Sequence, residues 1–99
     1  MLTQIRSASI APGKVAAVLP WSREVCELCK SKAGVDVKIA FPYGGNPNRI
    51  FFVSQYEGLA AMEKAWGKLF TDPQYLSLLT KGGENFVAGS VHDEFLNFG

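Results

Sequence analysis

A single α+β domain built on a four-stranded antiparallel sheet follows from three features of this 99-residue sequence. The first is an apolar run, Ile50-Phe51-Phe52-Val53, which turns polar at Ser54-Gln55-Tyr56 and leads into an amphipathic stretch with Leu59, Met62, Trp66 and Leu69 on one stripe. The second is the clean alternation of Val35, Val37, Ile39 and Phe41 against Asp36, Lys38 and Ala40 just before it. The third is turn chemistry between the two, Tyr43-Gly44-Gly45-Asn46-Pro47-Asn48, which predicts a hairpin. A strand apolar on both faces needs cover on both sides, and a chain this short supplies one cover.

The elements can be justified in order. Leu2–Ile10 reads as a strand, with Thr3, Ile5, Ser7 and Ser9 on one face and Leu2, Gln4, Arg6, Ala8 and Ile10 on the other. Pro12-Gly13 breaks it, and proline suits a first helical turn, so a helix is expected from there to about Ala33 with Gly34 as its stop. Val15, Leu19, Ser22, Cys26 and Cys29 mark one stripe, widened by Val18, Trp21, Val25 and Leu28. Pro20 removes one helical hydrogen bond, which predicts a kink near Ala16–Trp21. Val35–Pro42 is a half-buried strand whose Asp and Lys suit a sheet edge.

Arg49–Gln55 forms the partner strand of the hairpin. The next helix starts near Glu57, capped by Gly58 or by a box from Ser54 to Glu57, and ends at Thr71. Asp72-Pro73 caps a further helical stretch carrying Tyr75, Leu76 and Leu79 inward, loosened or ended by Gly82-Gly83. Ser90–Phe98 is the last strand. Strand, helix, strand, strand, helix, strand with right-handed crossovers is the ferredoxin-like arrangement, with the first and third strands central and helices on one face. Phe51 and Val53, with Leu96 and Phe98, then occupy the opposite face, a larger apolar patch than monomers usually leave open. A homodimer packed sheet to sheet is expected.

Bulk composition narrows the function classes. Ten Lys and Arg against nine Asp and Glu leave a net charge of +1 without a basic block, which argues against nucleic acid and anionic membrane. Arg49–Tyr56 also lacks the glycine and aromatic spacing of an RNA-recognition strand. No apolar run approaches the roughly 20 residues of a membrane span, and the N-terminus lacks a signal-peptide pattern, so the cytoplasm is the expected location. Gly44-Gly45 lacks the Lys-Ser/Thr of a phosphate loop.

The pattern resembles the dimeric α+β barrel superfamily, particularly small domains related to NIPSNAP proteins and antibiotic-biosynthesis monooxygenases. The residues that carry it are Ile10-Ala11-Pro12-Gly13-Lys14, Val53-Ser54-Gln55-Tyr56-Glu57-Gly58-Leu59-Ala60, Asp72-Pro73-Gln74-Tyr75 and Gly89-Ser90-Val91-His92-Asp93-Glu94. The resemblance covers nearly the whole chain and specifies fold more than chemistry. Its members include cofactor-free oxygenases, isomerases, haem enzymes and proteins without known activity. Gly58 stands where relatives often carry a small hydroxyl residue. No residue set here matches one catalytic subfamily.

Candidate sites follow from residue type and position. His92, the single histidine, shares a strand face with Glu94, Leu96 and Phe98; with Arg6 and Gln4 as neighbours it forms either a general base with an anion anchor or a structural polar cluster. Tyr56 and Gln55 lie at a strand end, where Tyr56 either donates to a bound carbonyl or phenol or anchors the helix start. Trp21 and Trp66 line an aromatic cavity or pack the core. Cys26 and Cys29 lie three turns into a helix, away from the N-terminal position that activates redox thiols, and read as core residues. A tetrahedral zinc would need two more ligands, and no haem or flavin site is legible, so no cofactor is expected. Two functions remain: a cofactor-independent oxygenase or isomerase acting on a small apolar or aromatic metabolite, or a non-catalytic binding or dimerisation module. The first predicts that His92, Tyr56 or a tryptophan lines a cavity of about 300 Å³ or more.

Overall fold

The computed structural model describes residues 1–45 and 47–98, so Asn46 in the expected hairpin turn and Gly99 lie outside the described residues. Strands β1 (Leu2–Ser9), β2 (Val37–Ala40), β3 (Arg49–Tyr56) and β4 (His92–Asn97) form one sheet in the order β2-β3-β1-β4. All three pairings are antiparallel, and β1 and β3 are central as expected. Helices α1 (Val15–Ala33), α2 (Leu59–Leu69) and α3 (Pro73–Gly82) complete the fold, with a single 3-10 turn at Gly83–Asn85. This is the ferredoxin-like α+β arrangement.

Local chemistry sets the element ends. Pro12-Gly13 does not open α1. Lys14 N–H donates to Ala11 C=O and Gly13 sits at φ 78°, so the two residues form the corner of a tight turn that needs proline first and a left-handed glycine second. Lys14 then caps α1, and Gly34, at φ 68°, closes it by donating to Cys29 and Lys30 carbonyls. The helix runs through Pro20 unbroken, with Pro20 and Ala16 both exposed, so water can satisfy the carbonyl that proline leaves without a donor. Of the two caps weighed for α2, Gly58 is the one used, and Leu59–Leu69 ends two residues before Thr71. Asp72 caps α3 through Oδ1, which accepts from Tyr75 N–H at 2.9 Å.

The helices bury stripes rotated from the expected ones. On α1 the buried residues are Val18, Ser22, Val25 and Cys29, while Val15 is 54% exposed. On α2 they are Met62, Ala65 and Leu69, leaving Leu59 exposed. In both cases the first apolar residue of the expected stripe is open to solvent. Leu76, expected inward on α3, is likewise exposed.

The core between helices and sheet has two parts. Val25, Cys29, Val35, Tyr56, Met62, Ala65, Leu69 and Tyr75 form the larger cluster, and Ile10, Val18 and Ile50 the smaller. Trp21 packs against both. Its indole N–H donates to the Leu78 carbonyl at 2.8 Å, tying α1 to α3, and a methyl group at Gly82 would run into its ring. Ile50 and Phe52 face the helices, and Phe51 and Val53 the opposite side, as alternation requires.

That opposite face carries no helix. Leu96 and Phe98 are 43% and 58% exposed there. Arg49 lies over β1, donating to Ser9 Oγ at 2.9 Å and Ser7 Oγ at 2.6 Å, and Gln55 donates to Thr3 Oγ1 at 3.3 Å. No helix among the described residues is long and apolar enough to cross a membrane.

Candidate functional site

A cavity of about 110 Å³ lies between the sheet and the helices. Its floor is Gln4 and Arg6 from β1 and Phe52, Ser54 and Tyr56 from β3. Its walls include Trp21 and Cys29 from α1, Trp66 and Leu69 from α2, Phe70, and Tyr75 and Leu79 from α3. These residues converge because alternate positions on two central strands point to the helices, while inward stripes of three helices meet above them. Most of the lining is apolar or aromatic, with a few polar groups placed among it, which is the general make-up of a small-molecule site.

The polar groups form two sets. Arg6 Nε and Nη2 donate to Asp93 Oδ1 and Oδ2 at 2.8 and 2.9 Å, a bidentate pair in which the opposite charges cancel. The Arg6 guanidinium beside it holds the Asp93 carboxyl below the usual carboxylate range, and the hydrogen bond to Asp93 raises Arg6. The second set is looser. Ser54 Oγ donates to Tyr56 Oη at 3.3 Å, and Tyr56 Oη donates to Gln4 Oε1 at 3.4 Å. Both exceed the usual 2.7–2.8 Å for bonds between oxygens by roughly half an ångström, so these hydroxyls hold their protein partners weakly.

Burial sets the remaining acid–base character. It pushes the Tyr75 phenol up to about 12 and the Cys29 thiol up to about 11. At neutral pH both are protonated: Tyr75 is a hydrogen-bond donor and Cys29 is an unreactive thiol. The cavity reaches solvent along Arg6, whose side chain is partly exposed, and Phe70, which is 46% exposed. Phe95 on the edge strand packs against one wall residue, its ring 6.1 Å from that of Trp66.

The structure brings together four of the sequence-predicted residues, Arg6, Trp21, Tyr56 and Trp66, on one cavity. It does not bring in the other three. His92 pairs with Ser7 and Glu94 with Ile5 across β1 and β4, whereas Arg6 opposes Asp93. The expected grouping of His92 and Glu94 with Arg6 and Gln4 is therefore wrong by one residue of register, which places them on opposite faces of the sheet. His92 and Glu94 are exposed on the helix-free face, 3.3 Å apart. Gln55 lies on that same face against Thr3. The cavity also falls short of the expected 300 Å³.

Sequence reasoning missed Asp93 and Tyr75 as members of the site. Asp93 is found once the β1–β4 register is known. Tyr75 reads as inward from its helix, and an inward phenol with no obvious partner is itself a signal for a polar cavity.

No family model and no curated protein matches the chain. Solved structures do resemble it. An uncharacterised NIPSNAP domain protein from Burkholderia xenovorans superimposes with a TM-score of 0.86 at 18% identity, covering 100% of this chain and 95% of that one. A NIPSNAP family protein of unknown function from Agrobacterium tumefaciens gives 0.82 at 23% identity, covering 97% and 86%. A Nitrosomonas europaea protein described as a candidate antibiotic biosynthesis monooxygenase gives 0.75 at 16% identity, covering 99% and 98%. The likeness is one of fold, spanning the whole domain.

Proposed function

We propose that this domain binds a small apolar or aromatic metabolite in the cavity between its helices and sheet. The observation that carries this reading is an aromatic-lined space whose hydroxyls are only loosely committed to protein partners. The volume limits the occupant. An apolar cavity of about 150 Å³ takes up benzene, so a space of about 110 Å³ holds at most one ring, with part of the ligand extending into the solvent opening. Native mass spectrometry of the purified protein tests the reading directly. A co-purified small molecule that is lost on replacing Trp66 supports it, and a ligand held equally by a Trp66→Ala variant argues against it.

The functional unit in this reading is a homodimer formed through the helix-free face, supported by the exposure of Leu96 and Phe98 beside Phe51 and Val53. A light-scattering mass of one chain at micromolar concentration would rule it out. A catalytic role as a cofactor-independent oxygenase or isomerase is a second reading. It is favoured by the hydroxyls of Tyr56 and of protonated Tyr75 on the lining, which can polarise a substrate carbonyl inside an apolar enclosure. Oxygen consumption or product formation with a bound ligand, lost in Tyr56→Phe, would distinguish it from binding alone.

A further inference from the structure

Tyr75 is the side chain that the cavity leaves without a partner. It is 7% exposed, lies on the cavity wall, and packs edge-on against Phe70 with ring centroids 5.9 Å apart. Its backbone N–H is taken by Asp72, but its hydroxyl makes no hydrogen bond to any described residue. Tyr75 shares the cavity lining with Cys29, Arg6 and Tyr56. The hydroxyl is not sealed from water, since Ser22 Oγ is the fully buried side-chain atom left without a partner among the described residues; a ligand oxygen can take the place of water at Tyr75, whereas an apolar group there would leave the donor unpaired.

The charge of the ligand follows from Arg6 and Asp93. Arg6 is the cation on the lining, and its guanidinium is already engaged at two nitrogens by Asp93. An anion entering this space would give up its water with no free countercharge to meet it. A neutral acceptor meets no such obstacle, and the loosely held Tyr56 hydroxyl can turn toward it as a second donor. The geometry points to a neutral, single-ring aromatic compound bearing a carbonyl group as the ligand, with Tyr75 as the specificity-determining donor. This rests on the cavity being the binding site, as proposed above.

Three probes of similar size separate the possibilities: acetophenone, ethylbenzene and benzoate, titrated into isotopically labelled full-length protein. The indole N–H resonances of Trp21 and Trp66 report occupancy from two walls of the cavity. Acetophenone is expected to bind at least tenfold more tightly than either of the others. Tyr75→Phe keeps the ring and its contact with Phe70, and should weaken acetophenone at least fivefold, toward the level of ethylbenzene, while leaving ethylbenzene within twofold. Benzoate binding as tightly as acetophenone would overturn the neutral class. Acetophenone and ethylbenzene binding equally to the unsubstituted protein would overturn the donor role, leaving the cavity as a binding site, and this comparison needs no variant. If no probe moves either indole, the cavity reading itself fails and this inference with it.

Discussion

The two faces of this sheet are made from the same four strands, yet they solve burial in different ways. Toward the helices, Ile50 is wholly buried and Ala8 and Ile10 nearly so. Where apolar packing stops on that side, at Gln4, Arg6, Ser54 and Tyr56, the polar groups surround a cavity. On the other face, β1 offers Thr3, Ser7 and Ser9, and they are covered by side chains of the neighbouring strand. The apolar residues there, Ile5 on β1, Phe51 and Val53 on β3, and those at the edges, are partly open to water. One face is completed within the chain. The other is completed only up to the point where a second surface would meet it.

The sharpest test of that contrast substitutes two consecutive residues. Ile50→Ala should cost about 2–5 kcal/mol, the usual range for emptying a packed core position, and urea unfolding should show this at every protein concentration. Phe51→Ala faces the other way, so its effect should grow with protein concentration, in step with a loss of dimer. Equal, concentration-independent losses would erase the distinction between the faces. Next in size is Gly82→Ala, whose added methyl collides with Trp21. Overpacking of this kind costs about 1–3 kcal/mol, and displacement of the indole should shift its N–H resonance.

Asp93→Asn should have a smaller effect, about 1 kcal/mol, because the Arg6–Asp93 pair is partly exposed and solvent-screened. Its sign with pH is fixed by the lowered carboxyl. The folded state favours ionised Asp93, so the stabilisation is fully present above the unfolded value of roughly 4 and is lost as pH falls through the lower folded value. The variant's stability should therefore fall less steeply on acidification below that point. Releasing Arg6 should also improve benzoate binding. Smallest of all is His92→Ala, on an exposed edge position, expected within about 0.5 kcal/mol and without effect on cavity ligands, as ligand titration can verify.

The fold was readable because its signals are local. Alternation in Val35–Phe41, the apolar run at Ile50–Val53 and the Asp72-Pro73 start each depend on a few neighbouring residues. The site was half readable for a corresponding reason. Tyr56, Trp21 and Trp66 could be assigned inward from the period of their own elements, and all three line the cavity. The company of Arg6 depends on the offset between β1 and β4, strands more than eighty residues apart, and no local pattern sets that offset. A one-residue error there exchanged Asp93 for His92 and Glu94. Likewise, the exposure of Val15 and Leu59 is set by how α1 and α2 pack against the rest of the domain, which hydropathy along the helix does not specify.

Arg49 has a consequence for how two such domains would come together. By lying across Ser7 and Ser9 it occupies their hydroxyls before any encounter, and Ser7 is already buried although no helix covers it. An approaching surface therefore does not have to strip water from those serines one by one. The guanidinium acts as a preassembled lining, and replacing it with a shorter side chain would turn a dry seam into a wet one.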